Sequence, residues 1–417
     1  MSTQPRKVVV VGGGVIGSAC AYYLSRQGWE VTIVEQNRFG SGCSHGNCGY
    51  VSPSHVLPHA QPGAIWPVLR TMLHRNSPFI VRPRFDPALW SWLLGFARRC
   101  NERDMLLAAT AITALLKSSR RLFDELFAAE AFDCDWEERG LLFVFKTRQH
   151  FDHYAETDKL LRKQFKTPAV RYDEAELLAL EPALKPGIAG AYLYECDAHL
   201  RSDKLMASWR RVLESRRVTI REGCRLVALH RSGSKITEVE TTGGTHPADA
   251  VVVATGAWTP QLAEQLQCRI PIQPGKGYSI TMPRPILCPK HPMIFEEHRV
   301  AITPFKSGYR VGSTMEFAGY DASLNPQRLE LLRQGAAMYL HDPLAEPVSE
   351  EWWGWRPMIY DGRPVIGCVP ALENVLVAAG HGMLGLSMST GTGKLVAEML
   401  SGDAPHIDPA PYAATRF

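Results

Sequence analysis

The sequence predicts an α/β protein in which a discontinuous Rossmann-like domain is joined to a second α+β domain built on an antiparallel sheet. Three observations support this fold class. An apolar, β-branched run ends in a glycine at three places, in segments 7–14, 248–256 and 374–385. The segments from about 55 to 195 and from 271 to 350 lack this pattern. A chain of 417 residues also exceeds what one hydrophobic core usually serves, so we expect two domains.

The composition excludes several classes of protein. Hydrophobic residues make up 45% and charged residues 21% of the chain, as in ordinary globular proteins. The 46 basic and 42 acidic residues are too evenly balanced for a nucleic-acid-binding surface. No apolar run is long enough to cross a bilayer, and the ten cysteines have no metal-site spacing, so no metal is expected. Because the first residues lack a secretory signal, we expect a cytoplasmic protein.

The first unit of the chain has the pattern of a dinucleotide-binding turn. Lys7–Val11 reads as a strand buried on both faces, and GxGxxG follows at Gly12, Gly14 and Gly17. In this pattern the first glycine makes the tight turn, the second lets the backbone approach a pyrophosphate, and the third packs the helix on the strand. The helix is predicted over 18–27, before Gly28.

A second strand, Val31–Val34, completes the unit and ends at Glu35. An acidic residue at this position accepts a hydrogen bond from a ribose hydroxyl. The sequence therefore predicts a bound dinucleotide. Its candidate contacts in this unit are Gly12, Gly14, Val15, Ile16, Gly17, Glu35 and Gln36.

A glycine-rich loop, 37–54, follows directly and has no apolar periodicity. Loops of this length inside a domain are usually functional. At this point the sequence resembles the D-amino-acid oxidase-like superfamily of FAD proteins, and most closely the bacterial D-amino-acid dehydrogenase small subunit. The motifs that carry the resemblance lie at 43–53 (CSHGNCGYVSP), 77–83 (SPFIVRP), 274–280 (PGKGYSI), 300–305 (VAITPF), 309–321 (YRVGSTMEFAGYD), 355–367 (WRPMIYDGRPVIG) and 380–402 (GHGMLGLSMSTGTGKLVAEMLSG).

The resemblance implies that the dinucleotide is FAD, with Ser44, Asn47 and Gly49 in contact with it and Gly49 near the flavin ring. The other two glycine-ended strands bring further backbone to the same ligand. Their candidate contacts are Gly256, Gly380, Gly382, Met383, Gly385 and Leu386. Val227, in the predicted strand 218–229, is a further candidate.

Periodicity and turn residues predict the secondary structure of the rest of the chain. Helices are predicted at 204–215, 105–129 and about 393–400, and strands at 218–229 and 235–241 that meet at a Ser-Gly turn. Segments such as RVAITPF and YRVGSTMEF read as antiparallel strands. The predicted domains are residues 1–55, 196–270 and 355–417 for the FAD-binding domain, and 56–195 and 271–354 for the substrate domain.

Arg356 is the first candidate for the chemistry, because it lies between Trp355 and Pro357 in a segment with few charges. A desolvated guanidinium needs an anion, and its planar fork suits a carboxylate. In amino-acid oxidases that this sequence resembles, the matching arginine binds the substrate carboxylate. The alternative is an internal salt bridge to Asp361 or Glu351.

Tyr278 and His381 complete the predicted catalytic set. The Tyr278 hydroxyl can hydrogen-bond a substrate, or the ring can simply be an aromatic side chain on a sheet. The His381 imidazole, between two glycines, can stabilise the negative charge of a reduced flavin, or make only a backbone contact. His298 stands where the dehydrogenase subunit carries a tyrosine, which makes D-proline or a hydroxylated D-proline a candidate substrate.

Two further features leave alternatives open. Cys43 and Cys48 flank the flavin loop and allow covalent attachment, whereas proteins of the type resembled hold FAD noncovalently. Segment 78–103 combines Trp90, Trp92 and Leu94 with a basic end, which fits either a helix on the membrane surface or a core helix.

The leading hypothesis is a dehydrogenase that oxidises a D-amino or D-imino acid and passes electrons to a membrane quinone or another acceptor. Peripheral contact with the inner face of the cell membrane and a homo-oligomer are compatible with it. One alternative is an oxygen-reducing oxidase of glycine or sarcosine. Another is a noncatalytic flavin-binding subunit.

Overall fold

The computed structural model describes residues 5–66, 77, 79–82 and 84–417. The first four residues, on which the expectation of no secretory signal partly rests, lie outside this range. Pro78 and Pro83 of the motif SPFIVRP also lie outside it. The strands are β1 Lys7–Val11, β2 Glu30–Val34, β3 Tyr50–Val51, β4 Phe79–Val81, β5 Leu141–Phe145, β6 Val170–Asp173, β7 Gly190–Tyr194, β8 Ala198–His199, β9 Thr219–Arg221, β10 Leu226–Ser232, β11 Lys235–Thr241, β12 Gly244–Pro247, β13 Ala250–Val253, β14 Ile272–Met282, β15 Met293–Phe295, β16 Val300–Phe305, β17 Gly308–Phe317, β18 Glu350–Ile359, β19 Val365–Val369 and β20 Leu372–Ala379. The helices are α1 Val15–Arg26, α2 Pro87–Arg99, α3 Glu102–Ala129, α4 Arg148–Phe165, α5 Glu174–Leu180, α6 Ser202–Ser215, α7 Ala263–Leu266, α8 Pro326–Ala337 and α9 Gly385–Ser401.

A six-stranded sheet forms the Rossmann-like part, in the order β19-β20-β13-β1-β2-β9. All neighbours are parallel except β19 and β20. In β1, Val8 to Val11 are buried, which explains the uninterrupted apolar run: both faces of the sheet are covered. Because β1, β13 and β20 run in one direction, the glycines after them meet at one edge, as the sequence predicts.

Helix α9 packs against α1 through small residues. A Cβ at Gly393 would lie 2.5 Å from the backbone carbon of Ala19, and the Thr390 hydroxyl meets that of Ser119 on α3 at 2.8 Å. The predicted helix start near 393 is therefore wrong. The Gly/Ser/Thr run before it is helical from Gly385, because close contact between helices requires small side chains.

The second sheet follows the order β18-β14-β17-β16-β15-β5-β7-β6, with β4 beside β17. It is mainly antiparallel; β15–β5 and β4–β17 are parallel pairs. Strand β18 runs continuously across the predicted domain boundary at 354/355. Arg356 consequently belongs to this larger sheet and not to the Rossmann-like sheet.

The predicted strand 218–229 is two strands. The chain turns at Gly223, where φ is +66°, so that β9 pairs with β2 while β10 starts a small antiparallel sheet with β11 and β12. The Ser-Gly turn between β10 and β11 is confirmed by the Ser232–Lys235 pair. Within the described ranges, every helix is too short or too polar to cross a membrane.

Candidate functional site

A cavity of about 480 Å³ lies at the glycine-rich edge of the six-stranded sheet. It reaches from the end of β2, past the start of α1, to the segment after β20 and to β18 of the larger sheet. The sequence-predicted residues that line it are Gly12, Gly14, Val15, Ile16, Glu35, Gln36, Ser44, Asn47, Val227, Gly256, His381, Gly382, Met383, Gly385 and Leu386. The structure thus brings most of the predicted cofactor contacts to one cavity.

The three glycines of the first turn have different surroundings. Gly12 has φ +110°, and a Cβ there would lie 2.5 Å from the Ala254 carbonyl oxygen. A Cβ at Gly17 would lie 1.9 Å from the Gly12 carbonyl oxygen, so Gly17 packs the helix on the turn and does not line the cavity. Gly14 is the N-cap of α1 and carries no capping side chain. Apart from the Val15 N–H, which the Ser44 hydroxyl accepts, the start of α1 is open to an anion.

The Glu35 carboxylate is held at one end of the cavity. Its Oε2 accepts the Gly13 N–H at 2.8 Å, and its Oε1 accepts the Asn37 N–H at 2.9 Å. A carboxylate oxygen can accept more than one hydrogen bond, so both retain capacity toward the cavity. This geometry agrees with the role predicted for Glu35.

The glycine-rich loop is tied to α1 and to itself. The Ser44 hydroxyl accepts the Val15 N–H at 3.0 Å, and the Asn47 side chain accepts the Gly49 N–H at 2.8 Å. Gly49 itself does not line the cavity, contrary to the expectation. It has φ +82°, and a Cβ there would lie 1.8 Å from the Leu200 carbonyl oxygen, so it is needed for backbone packing.

The opposite end of the cavity is formed by the segment after β20. Gly380 is absent from the lining; a Cβ there would touch Ile359 at 3.3 Å. The His381 Nε2 meets the Thr392 hydroxyl at 3.0 Å, and burial lowers the pKa of His381 to about 3. The histidine is therefore neutral at physiological pH. Any stabilisation of a negative charge by His381 therefore comes from the dipole of a neutral imidazole and not from a positive charge.

Arg356 is half-buried and makes one hydrogen bond, from Nη1 to the Thr314 carbonyl oxygen at 2.7 Å. The internal salt bridge proposed as the alternative is wrong. Asp361 pairs with Arg363 and with Arg416, at 2.9 and 2.8 Å. In the described part of the chain, no carboxylate oxygen lies within 4 Å of the Arg356 guanidinium, and Glu351 pairs with another arginine.

Two neighbouring thiols do not balance the Arg356 charge. Burial raises the pKa of Cys43 to about 11, against the opposing effect of Arg356, and burial also raises the pKa of Cys48. Both are neutral at physiological pH. Because a thiol is a much weaker nucleophile than a thiolate, this also argues against covalent flavin attachment through Cys43, which lines the cavity.

Tyr278 does not reach the cavity. Its ring is buried in the core of the larger sheet, and its hydroxyl donates to Glu316 Oε2 at 2.5 Å. Burial, followed by the hydrogen bond to Glu316, raises the pKa of Tyr278. The predicted substrate contact is wrong because alternation along β14 turns Tyr278 to the face opposite Gly277, which contacts Arg356.

His298 also has a structural partner in place of a substrate. Its Nδ1 is 2.9 Å from the Tyr339 hydroxyl, and its ring meets the Tyr339 ring edge to face. Its Cβ lies 3.5 Å from where a Cβ at Gly335 of α8 would be. The residue that differs from the related subunit at this position therefore has a partner within the protein.

The sequence interpretation missed several residues of the site. Trp258, Gln261 and Trp355 line the cavity, and the two tryptophan rings meet edge to face with centroids 5.3 Å apart. The signal available was position: Trp258 follows the second glycine-ended strand, and Trp355 precedes Arg356. Gly277 was also missed; a Cβ there would lie 2.4 Å from Arg356 Cζ.

The cavity fits a dinucleotide. Its volume falls within the range of about 300–1,000 Å³ that is typical of ligand sites. A Cβ at Gly256 would meet no heavy atom within 4 Å, and one at Gly14 would meet only the Ser44 hydroxyl, at 3.4 Å. Both glycines line the cavity, so a ligand has room where their side chains would be.

Comparison with known proteins decides which family this is. The family model described as FAD dependent oxidoreductase matches residues 7–399. The chain belongs to this family. The fold and the FAD cofactor inferred from the resemblance are confirmed.

Relatives of this oxidoreductase span its full length. It is 35% identical over 422 residues to a D-amino acid dehydrogenase of Granulibacter bethesdensis, covering 99% of both chains. It is 34% identical over 421 residues to one of Methylobacterium radiotolerans, covering 98% of this chain and 99% of the relative.

Solved structures share its fold. Glycine oxidase from Geobacillus kaustophilus matches with a TM-score of 0.77 and 24% identity over 100% of both chains. L-proline dehydrogenase from P. horikoshii matches with a TM-score of 0.75 and 18% identity, covering 99% of this chain and 98% of that one. At these identities the likeness shows the fold alone.

Proposed function

We propose that this oxidoreductase is a dehydrogenase of D-amino acids, including cyclic D-imino acids, and that it passes electrons to a membrane quinone. Arg356 binds the substrate carboxylate. Bound FAD would supply the acceptor for the hydride of the substrate α-carbon. The full-length relatives named D-amino acid dehydrogenase support the reaction class.

The observation that carries the proposal is the Arg356 guanidinium, which has no carboxylate within 4 Å among the residues that the structure describes. Burial lowers the pKa of Arg356, yet an arginine stays charged at any physiological pH. The protein thus bears the cost of a partly desolvated cation beside a cofactor cavity. A bound carboxylate offsets that cost, since it can accept two parallel N–H groups.

The carboxylate contact does not distinguish a primary from a secondary amine. Arg356 touches only the acid end of the substrate, so D-proline and hydroxylated D-proline remain within the proposed range. Handedness follows from which face of the α-carbon meets the flavin once the carboxylate is held, and a direct comparison of enantiomers tests it.

The test is anaerobic bleaching of the bound flavin by paired D- and L-amino acids, with proline and 4-hydroxyproline included. We expect bleaching by D-enantiomers at rates that saturate with concentration. Reoxidation of the bleached protein by a soluble quinone should then be much faster than by air. Fast peroxide formation would instead identify an oxidase, and a flavin that no amino acid bleaches would identify a noncatalytic subunit.

A surface next to the substrate domain supports contact with a membrane, where the quinone is found. Phe85, Trp90 and Leu94, at or on α2, are 98%, 51% and 53% exposed, and we call them the α2 face. The opposite side of α2 packs in the core, where Trp92 donates to the Met358 carbonyl oxygen at 3.2 Å. Arg98 and Arg99 end the helix and are attracted to anionic lipid headgroups.

Co-flotation with vesicles containing anionic lipid tests this surface. Wild-type protein should float with the vesicles, and the double variant Trp90→Glu with Leu94→Glu should not. Ile286→Glu is the matched control, because Ile286 is a fully exposed apolar residue outside the α2 face. Equal flotation of wild type and double variant contradicts the proposed membrane contact.

A further inference from the structure

Four aromatic side chains pack together where the cavity meets β18. The Trp355 ring lies edge to face against three other rings, with centroid distances of 5.3 Å to Trp258, 4.9 Å to Trp353 and 5.5 Å to Tyr320. We call these four residues the aromatic cluster. Trp258 and Trp355 line the cavity, whereas Tyr320 is 39% exposed and follows the end of β17. The aromatic cluster therefore reaches from the wall of the cavity to the protein surface.

Tyr320 lies at the rim of this cavity. Its hydroxyl donates to the carbonyl oxygen of Ala257, a lining residue, at 2.7 Å. Burial raises the pKa of Tyr320, and a hydrogen bond with the side chain of Gln261, a second lining residue, opposes that rise. The hydroxyl is thus held toward the cavity while more than a third of the residue stays open to solvent. A planar ligand has room beside it.

The aromatic cluster lies at the end of the cavity where the substrate is proposed to bind. Trp355 directly precedes Arg356 in β18, whereas Glu35 holds the opposite end of the cavity. Electrons therefore leave the substrate on the side of the aromatic cluster. An electron acceptor that docks on Tyr320 is separated from the cavity by a single layer of aromatic side chains, to which Trp355 belongs.

The segment after β17 also packs on the start of α2. Arg84 Nη1 donates to the Phe317 carbonyl oxygen at 2.9 Å, and a Cβ at Gly319 would lie 3.6 Å from Arg84 Cζ. Arg84 pairs with Asp86, the N-cap of α2, at 2.9 Å. Phe85 of the α2 face stands between these two residues in the chain. The aromatic cluster and the α2 face therefore adjoin each other.

We infer that the exposed side of Tyr320 is the docking site for the ring of a quinone, which reaches it from the membrane along the α2 face. A quinone ring is planar and largely apolar, and aromatic rings pack favourably against such a surface. The apolar tail of the quinone can then remain in the bilayer. This inference rests on the proposed function, since it takes a membrane quinone as the electron acceptor.

The overall exchange balances without a further reactant. The α-carbon of the substrate loses a hydride, its nitrogen loses a proton, and a carbon–nitrogen double bond forms. The quinone at Tyr320 gains the two electrons of that hydride together with two protons, and leaves as the quinol. Because Tyr320 is exposed, water can deliver the protons to the quinone oxygens.

Removing the ring tests the docking site. Tyr320→Ala removes it, and Tyr320→Phe keeps it without the hydroxyl. Phe417→Ala is the matched control, because Phe417 is also 39% exposed and its ring contacts Tyr360, which is not among the lining residues. Equilibrium dialysis measures the Kd of oxidised holoprotein for ubiquinone-1, which has a short tail. Reoxidation of photochemically reduced holoprotein is then followed with ubiquinone-1 and with ferricenium, a small acceptor that requires no ring contact.

We expect Tyr320→Ala to raise the Kd for ubiquinone-1 about tenfold and to slow reoxidation by dilute ubiquinone-1 by a similar factor, because an aromatic contact and buried apolar area are lost. Tyr320→Phe and Phe417→Ala should stay within about twofold of wild type, as should every rate with ferricenium. Equal Kd values for wild type and Tyr320→Ala overturn the inference. So does a Tyr320→Phe variant as weak as Tyr320→Ala, an equal loss in Phe417→Ala, or an equal loss with ferricenium.

Photochemical reduction separates this inference from the rest of the proposed function, because it needs no amino acid. If wild type binds ubiquinone-1 and Tyr320→Ala binds it equally well, only the docking site fails and the quinone acceptor stands. If wild type neither binds ubiquinone-1 nor is reoxidised by it, the quinone acceptor and the docking site fail together.

Discussion

Replacing Arg356 with methionine separates function from folding at one position. Methionine keeps an unbranched side chain of similar length and removes the charge. A carboxylate held by two charge-assisted hydrogen bonds, at about 1.5–3 kcal/mol each, would lose about 3–6 kcal/mol of binding. This corresponds to a fall in kcat/KM of roughly 10²- to 10⁴-fold.

The same substitution should cost the fold little. Arg356 has no carboxylate within 4 Å among the described residues and makes one hydrogen bond, at 2.7 Å to Thr314. Losing that bond costs about 1 kcal/mol, and removing a partly desolvated cation offsets it. We therefore expect the unfolding temperature of the flavin-loaded variant to stay level or to rise.

Two assays on one preparation check this prediction. Anaerobic bleaching by D-alanine gives the rate and the concentration dependence, and thermal unfolding followed by circular dichroism gives the stability. Arg333→Met is the control, because Arg333 pairs with the exposed Glu351, whereas Arg356 lies between Trp355 and Pro357, which both line the cavity. Unchanged saturation by D-alanine, or a clear drop in unfolding temperature, would refute the role given to Arg356.

Three more predictions follow from the same contacts. Gly14→Ala should fold normally but lack flavin absorbance, because its Cβ enters the cavity, and a yellow Gly14→Ala protein would contradict that expectation. Gly12→Ala should instead lower the unfolding temperature, because its Cβ would lie 2.5 Å from a carbonyl oxygen. Gly277→Ala should raise the KM for D-alanine while retaining flavin, because the methyl displaces Arg356, and an unaltered KM would count against that contact. Burial raises the pKa of Asp197 from 3.8 to about 7, so the folded protein keeps a proton that the unfolded chain releases, and stability falls as pH rises through that window. Asp197→Asn should remove this decline, on the order of 3 kcal/mol at most between pH 5 and pH 8, in urea unfolding at those two pH values; an equal decline in both proteins would exclude Asp197 as its source.

Much of the site followed from local sequence. Gly12, Gly14 and Glu35 act within one strand-turn-helix-strand unit, whose geometry depends on backbone freedom and on the nearest neighbours in the chain. The apolar runs before Gly256 and Gly382 have the same pattern of a strand that ends in glycine. Parallel pairing of these strands was therefore enough to predict that the glycines lie at one edge of the sheet.

Other residues could not be placed in this way. Tyr278 and Gly277 are adjacent, yet one is in the core and the other under Arg356, because the face that each residue takes depends on pairing with β18 and on the bulge in β17. Gly49 and Gly380 were expected at the cofactor but serve backbone packing against Leu200 and Ile359, which are distant in sequence. His298 found a partner on another element, Tyr339.

The sequence by itself predicted the fold class and a dinucleotide site, because short-range patterns of glycine, β-branched and charged residues encode them. The resemblance to a family of FAD proteins added FAD, and with it the role proposed for Arg356. Only the tertiary structure decided that Arg356 has no carboxylate partner in the described part of the chain, that His381 is neutral and that the Thr314 carbonyl lies beside the guanidinium. These properties depend on burial and on which strands meet, and both arise from contacts between residues far apart in the chain.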